Sequence, residues 1–160
     1  MPRVGFWLRL AAALIDVVFL LVIEVALGLA WMFVFMTRDL STRSFSIVLV
    51  LVFIAYTSLE FFIAATPGKL ILGQRIAARD SPGAGRWRLF LRWATKQMPL
   101  LCQGLFVITG GTVFYYLGGL EWVVVLIGFL FVANDEKLAW HDQWAGTAVV
   151  RRRALAGATA

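Results

Sequence analysis

The sequence predicts an all-α fold: a polytopic membrane bundle of about four transmembrane helices, with an amphipathic helix at the interface. Three observations carry that expectation. Hydrophobic residues make up 61% of the 160 and mean hydropathy is +0.84, whereas soluble domains sit near ~45–50% apolar. Apolar runs approach the ~20 residues that cross a hydrocarbon layer ~30 Å thick. The net charge of +6 is gathered between those runs, where lysine and arginine meet anionic headgroups and fix orientation.

The first span covers roughly 8–36 and contains "LRLAAALIDVVFLLVIEVALGLAWMFVF". Its "GLA" before Trp31 imitates a leader cleavage site. The run is about twice the ~7–15 residues of a secretory apolar region, so it is expected to be retained. "TRDLSTRS" at 37–44 forms a short polar connection, and a second span follows at 45–65. Pro67 and Gly68 stop it.

Residues 66–98 are basic and turn-rich. "ILGQRIAAR" reads as a short strand or an extended segment at the headgroups. In "RWRLFLRWATKQ", Arg88, Arg92 and Lys96 recur every four residues and make one charged stripe. This is the expected interfacial helix, leading into the next span. The run 97–134 holds two crossings if its turn is tight. That turn is "TGGT" at 109–112 or "LGGLE" at 117–121, and Glu121 beside Trp122 favours the second as a membrane boundary. The tail from Asn134 begins as an amphipathic helix and ends as a basic extension. The expected division is therefore a membrane domain over 1–150 and a flexible tail over 151–160.

Of 15 lysines and arginines, 13 lie at the chain start, in 66–98 or after the last span. The positive-inside rule then places both termini and the basic central segment in the cytoplasm, with the protein in the cell (inner) membrane. Trp7, Trp87, Trp93, Trp140 and Trp144 fall at the inner boundary, Trp31 and Trp122 at the outer.

Ionisable residues inside spans need an explanation, because a charge at mid-span costs at least ~2.5–3.5 kcal/mol on insertion scales. Arg9 lies close enough to the boundary to snorkel. Asp16, seven residues on and about 10 Å deeper at ~1.5 Å per residue, is too short to do so. It must be protonated, paired or hydrated. Arg9 and Asp16 share a helix face but are too far apart for a direct i,i+4 pair. The candidate partners are Lys96, Lys69 or His141 for Asp16, and Asp142 for Arg9. Glu60 in the second span lies at a similar depth to Asp16. Glu24 is rotated by roughly 80° from Asp16 and either shares its crevice or plays a peripheral part. Asp16, Glu60 and Glu24 thus form a candidate ion or proton site; equally, they are structural acids neutralised by neighbouring bases.

Other chemistries have little support. "PGK" lacks the glycine and the Ser/Thr of a phosphate-binding loop. No nucleophile elbow or Ser–His–Asp spacing is present, so no enzymatic activity and no cofactor are expected. His141 is the single histidine and no metal site is expected. Cys102 is the single cysteine, which excludes an intrachain disulfide. Nucleic acid is not an expected partner, because the charge follows the membrane boundary.

Three ordered segments, "RLAAALID", "TPGKLILGQRI" and "WHDQWAGTAVV", together resemble the RDD family of membrane proteins, named for an arginine and two aspartates. The resemblance covers roughly residues 6–150. It implies that Arg9, Asp16 and Asp142 are those residues, and that Thr66, Pro67, Gly68, Lys69, Gly73 and Arg75 match the central segment. It also implies a small helical membrane fold and a transport role without a defined substrate. The region 104–121, Glu24 and Glu60 lie outside that pattern. A charged network of Arg9, Asp16, Asp142, Lys69, Arg75 and His141 is expected at the cytoplasmic boundary. Two functions follow: an ion- or proton-coupled transporter using the intramembrane acids, or a non-enzymatic scaffold or accessory subunit that binds a protein partner or anionic lipid. The bilayer is a partner in either case, with a homo-oligomer or another membrane protein as further candidates.

Overall fold

The computed structural model describes residues 2–37, 42–133 and 135–156. Four long helices dominate: α1 (Phe6–Thr37), α2 (Thr42–Ile63), α4 (Arg86–Thr109) and α5 (Thr112–Leu130). Three of them are long and apolar enough to cross a membrane, over Phe6–Val34, Ser44–Ile63 and Thr112–Ala133. The fourth, α4, is longer than α2 and α5 but carries Arg86, Arg88, Arg92 and Lys96 in its first half. Helices α2, α4 and α5 pack side by side, while α1 leans on the short helix α3 (Pro67–Ile71). The polar connection expected at 37–44 falls largely outside the described residues.

Most of the buried residues lie at one end. There β1 (Gln74–Ala78) pairs antiparallel with β2 (Thr147–Arg151), in a register running from Gln74 opposite Arg151 to Ala78 opposite Thr147. The Val4 N–H donates to the Val149 carbonyl at 2.9 Å, which ties the start of the chain to this ribbon. Val4, Ala64, Ile76, Leu89 and Val149 form the apolar cluster beneath it. Gly73 (φ +63°) makes the turn from α3 into β1, a left-handed conformation that glycine adopts without steric cost. The short helices α6 (Trp140–Ala145) and α7 (Arg152–Ala156) flank β2.

Three expectations are corrected. The turn between the last two long helices is "TGGT": Gly110 (φ +71°) ends α4 in the left-handed conformation and its N–H reaches the Phe106 carbonyl at 2.7 Å. Gly118, in the alternative turn, is instead buried inside α5, where a Cβ would stand 3.1 Å from the Pro99 carbonyl oxygen. The charged stripe on α4 does not face outward as a whole, because Arg92 is 2% exposed and turned into the protein. The tail holds a helix and then a strand, since Thr147–Arg151 finds its partner in β1. Arg151 thus closes β2 and Arg152–Ala156 is helical, while 157–160 lie outside the described residues.

Candidate functional site: a buried charge cluster at one end of the bundle

Asp16 sits on α1 facing the entry to α3. Its Oδ1 accepts from the Tyr56 hydroxyl (2.7 Å) and the Gly68 N–H (2.7 Å), and its Oδ2 from the Thr66 hydroxyl (2.5 Å). The local sequence explains the arrangement. Pro67 starts α3 at a position where no N–H is needed. Thr66 precedes it as N-cap but makes no side-chain cap bond to its own helix. Asp16 supplies from another helix the acceptor that Thr66 withholds. Gly68 allows the approach: a Cβ there would lie 2.2 Å from the Ala12 carbonyl oxygen and 2.9 Å from Asp16 Oδ1.

Glu60, on α2 one turn from Tyr56, is 1% exposed. Arg92 Nε donates to its Oε1 at 2.5 Å, and Lys69 Nζ to its Oε2 at 2.8 Å. Lys96 pairs with the same Oε2. Burying a carboxylate is costly unless it is paired and hydrogen-bonded, and three cations from α3 and α4 meet that condition.

Asp142 on α6 is fully buried. Its Oδ2 accepts from Arg9 Nη1 (2.5 Å) and the Ala139 N–H (3.2 Å), and the Thr147 hydroxyl donates to Oδ1 at 3.4 Å. Arg92 pairs with Asp142 as well as with Glu60, so one guanidinium joins the two acids into a single cluster. Arg9 spends its other nitrogens on main-chain carbonyls, Nε on Val4 (3.1 Å) and Nη2 on Lys137 (2.7 Å). It therefore ties the chain start, α1 and the α6 loop together, a use of the planar fork that lysine lacks. His141 borders Asp142 at 3.8 Å. Burial, with Arg92 and Lys96 adding repulsion, holds its imidazole well below its ordinary pKa, so it is neutral near pH 7.

Arg9, Asp142, Lys69 and His141 from the expected network thus come together, and Glu60 joins them. Arg75 does not: it lies exposed on β1. Asp16 is near the cluster, but its expected partners are corrected. Neither lysine nor His141 bonds it; two hydroxyls and a backbone N–H do. Lys69 and Lys96 are claimed by Glu60, the more deeply buried acid. Glu24, the third acid of the candidate ion site, stands two turns farther along α1, exposed, with no hydrogen bond or ion pair among the described residues. Arg92, Tyr56 and Thr147 were not identified from sequence as site residues. The signal available was the need of two buried acids for more cations than Arg9 and Lys69 supply.

Among the described residues no group of three or more His, Cys, Asp or Glu is placed to hold a metal. A cavity of about 60 Å³ beside the cluster is lined by Lys96, His141, Thr95, Gly128, Trp140 and Trp144, among others. Neither Asp16 nor Glu60 reaches it.

A profile described as the RDD family matches residues 3–146. The chain is also 31% identical, over 145 residues, to the "Uncharacterized protein YckC" of Bacillus subtilis (strain 168), an alignment covering 91% of this chain and 82% of that one. No solved structure matches it. The chain belongs to the RDD family.

Proposed function

We propose that this RDD-family chain is a non-enzymatic membrane scaffold or accessory subunit, embedded in the cell membrane with both termini cytoplasmic. Its intramembrane acids then hold helices together and carry no cargo. One observation carries the reading: both oxygens of Asp16 and both of Glu60 already accept hydrogen bonds from protein donors. A metal cation needs those lone pairs, and here N–H and O–H groups point at them. Protonating Glu60 would leave Lys69, Arg92 and Lys96 without their counter-charge.

The orientation rests on the basic residues. The α4–α5 turn holds none, and the described basic residues before α1, from α3 through the first half of α4, and after α5 lie towards the ribbon end. Arg43, at the start of α2, is the exception among the described residues.

One feature favours transport as the second reading. Asp16 is only partly buried and its donors are uncharged, whereas Glu60 and Asp142 are each paired with cations. Purified protein in liposomes separates the two. The scaffold reading expects ion and proton flux no greater than in protein-free vesicles, and a stoichiometric membrane-protein partner on mild extraction. Flux that disappears in a folded Asp16→Asn variant overturns it.

A further inference from the structure

A groove of about 630 Å³ opens at the ribbon end, away from the buried cluster. Leu8, Ile71 and Leu72 form its apolar side, and Arg151, Arg152 and Arg153 its basic side. We propose that this groove is a binding site for one anionic phospholipid of the surrounding bilayer, with the phosphate among the arginines and an acyl chain along Leu8 and Ile71.

The chemistry of the lining selects that occupant. None of the three arginines forms an ion pair among the described residues, and all three are exposed. Of the other arginines, Arg9 and Arg92 are consumed by buried carboxylates and Arg79 and Arg88 pair with Glu136 and Asp80, while Arg75 and Arg86 are exposed without an ion pair among the described residues but do not line the groove. Three adjacent cations with no acid are a charge surplus that only an external anion offsets, and arginine's fork matches phosphate geometry.

The position is held by backbone, not by chance side-chain placement. The Arg152 N–H donates to the Gly73 carbonyl at 2.8 Å, and Gln74 pairs with Arg151 in the ribbon. The arginines are thereby fixed beside the end of α3.

The apolar side argues for a lipid over a soluble phosphate. Leu8 belongs to the first turns of α1, a helix apolar enough to span the bilayer. Beside it Trp7 is 78% exposed, and Leu70 and Ile71 on α3 are 45% and 60% exposed. An aromatic and two aliphatic side chains uncovered at the end of a spanning helix form a surface suited to the headgroup–acyl boundary. The groove therefore offers phosphate chemistry at one wall and hydrocarbon at the other. Its volume lies within the ~300–1,000 Å³ of ordinary ligand sites.

This goes beyond the scaffold reading and does not need it; flux tests that reading, lipid titration tests this one. Detergent-purified, delipidated full-length protein is titrated with phosphatidylglycerol and followed by native mass spectrometry and thermal unfolding. Detergent removes the bilayer's surface potential, so distant arginines no longer contribute. Phosphatidylglycerol is expected to bind at one copy per chain and to raise the unfolding temperature. Arg151→Gln with Arg153→Gln should weaken it by about tenfold or more, the effect of losing a hydrogen bond to a charged phosphate. Arg75→Gln with Arg86→Gln, an equal charge change at exposed positions off the groove, should leave it within about threefold. Both double variants should elute and unfold like the parent without lipid, because all four side chains are exposed. Equal binding of phosphatidylcholine, equal binding of glycerol phosphate, tighter binding of an acidic peptide, or equal losses in the two double variants would each overturn the proposal.

Discussion

The two ends of the bundle are built on opposite principles. Along α2, from Ser44 to Ile63, the one buried side chain is Glu60; every aliphatic residue there is at least partly exposed. Along α1, no described side chain beyond Ala12 is buried. At the ribbon end, by contrast, Asp142, Gln74, Gln97, Arg9 and Arg92 are as inaccessible as any valine. The inversion follows from the solvent. Apolar side chains gain nothing by leaving lipid for protein, so the spanning segments have little reason to bury leucine. Polar groups cannot remain in hydrocarbon and must find one another. To the apolar cluster beneath the ribbon, which a soluble core would also have, this molecule adds a network of paired charge.

The sharpest way to break that contrast is to remove the acid that both arginines share. Asp142→Ala leaves Arg9 and Arg92 buried without it, and removing one partner of such a pair typically costs ~3–5 kcal/mol. Yield of folded protein in membranes, thermal unfolding and gel-filtration profile should all deteriorate sharply. Wild-type behaviour in all three would mean that the cluster does not organise the fold.

Asp16 offers a milder test, because its donors are uncharged. Tyr56→Phe removes one of the two bonds to Oδ1 and keeps the ring. A hydrogen bond to a charged group contributes ~1.5–3 kcal/mol, and the unfolding temperature should fall accordingly. Gly68→Ala probes the same joint sterically. The added methyl meets the Ala12 carbonyl oxygen at 2.2 Å, so α1 and α3 must separate, at a cost of roughly 1–3 kcal/mol. The two losses should not add, since both act on the α1–α3 contact. Additive losses would show that Tyr56 and Gly68 serve different joints.

Legibility in the sequence divides along the same line. The spans were readable because lipid demands long apolar runs, and the family resemblance named residues that the structure brings to one end. The pairing of Arg9 with Asp142 was readable because a buried arginine asks for an acid and few were available. The partners of Asp16 were hidden for a physical reason. Charge complementarity pointed to lysines, but the donors are two hydroxyls and a main-chain N–H, a group that all but proline possess. The trace left in "TPG" was a cap threonine, an N1 proline and a glycine. The α4 stripe was ambiguous because arginines four apart serve headgroups or buried acids equally well. Strand β2 was hidden because its partner lies some 70 residues earlier in the chain.

His141 refines the comparison through pH. Its imidazole is held well below the ordinary value in the folded protein, while the unfolded chain returns it to about 6.5. Between those two values the unfolded state binds the extra proton, so stability rises with pH. The contribution is complete above about pH 6.5 and is lost as pH falls below it. Unfolding temperatures measured from pH 8 down to 5 should fall more steeply for the wild type than for His141→Gln. Parallel curves would mean that the imidazole is free to charge in place.

Glu24 should give the smallest effect of all. It lies eight residues from Asp16 on the same helix, yet it has none of the donors that surround Asp16. Glu24→Gln should therefore change the stability of the detergent-solubilised monomer by no more than about 0.5 kcal/mol, the range of surface substitutions away from specific contacts. The same conservative change, Asp16→Asn, should be plainly destabilising, because it replaces an oxygen acceptor with an NH₂ that cannot accept from its present donors. A loss at Glu24 as large as that at Asp16 would mean that the exposed face of α1 is covered in the working protein. The inner acids would then no longer be the only ones with a structural task, and the polarity of the bundle would extend through its length.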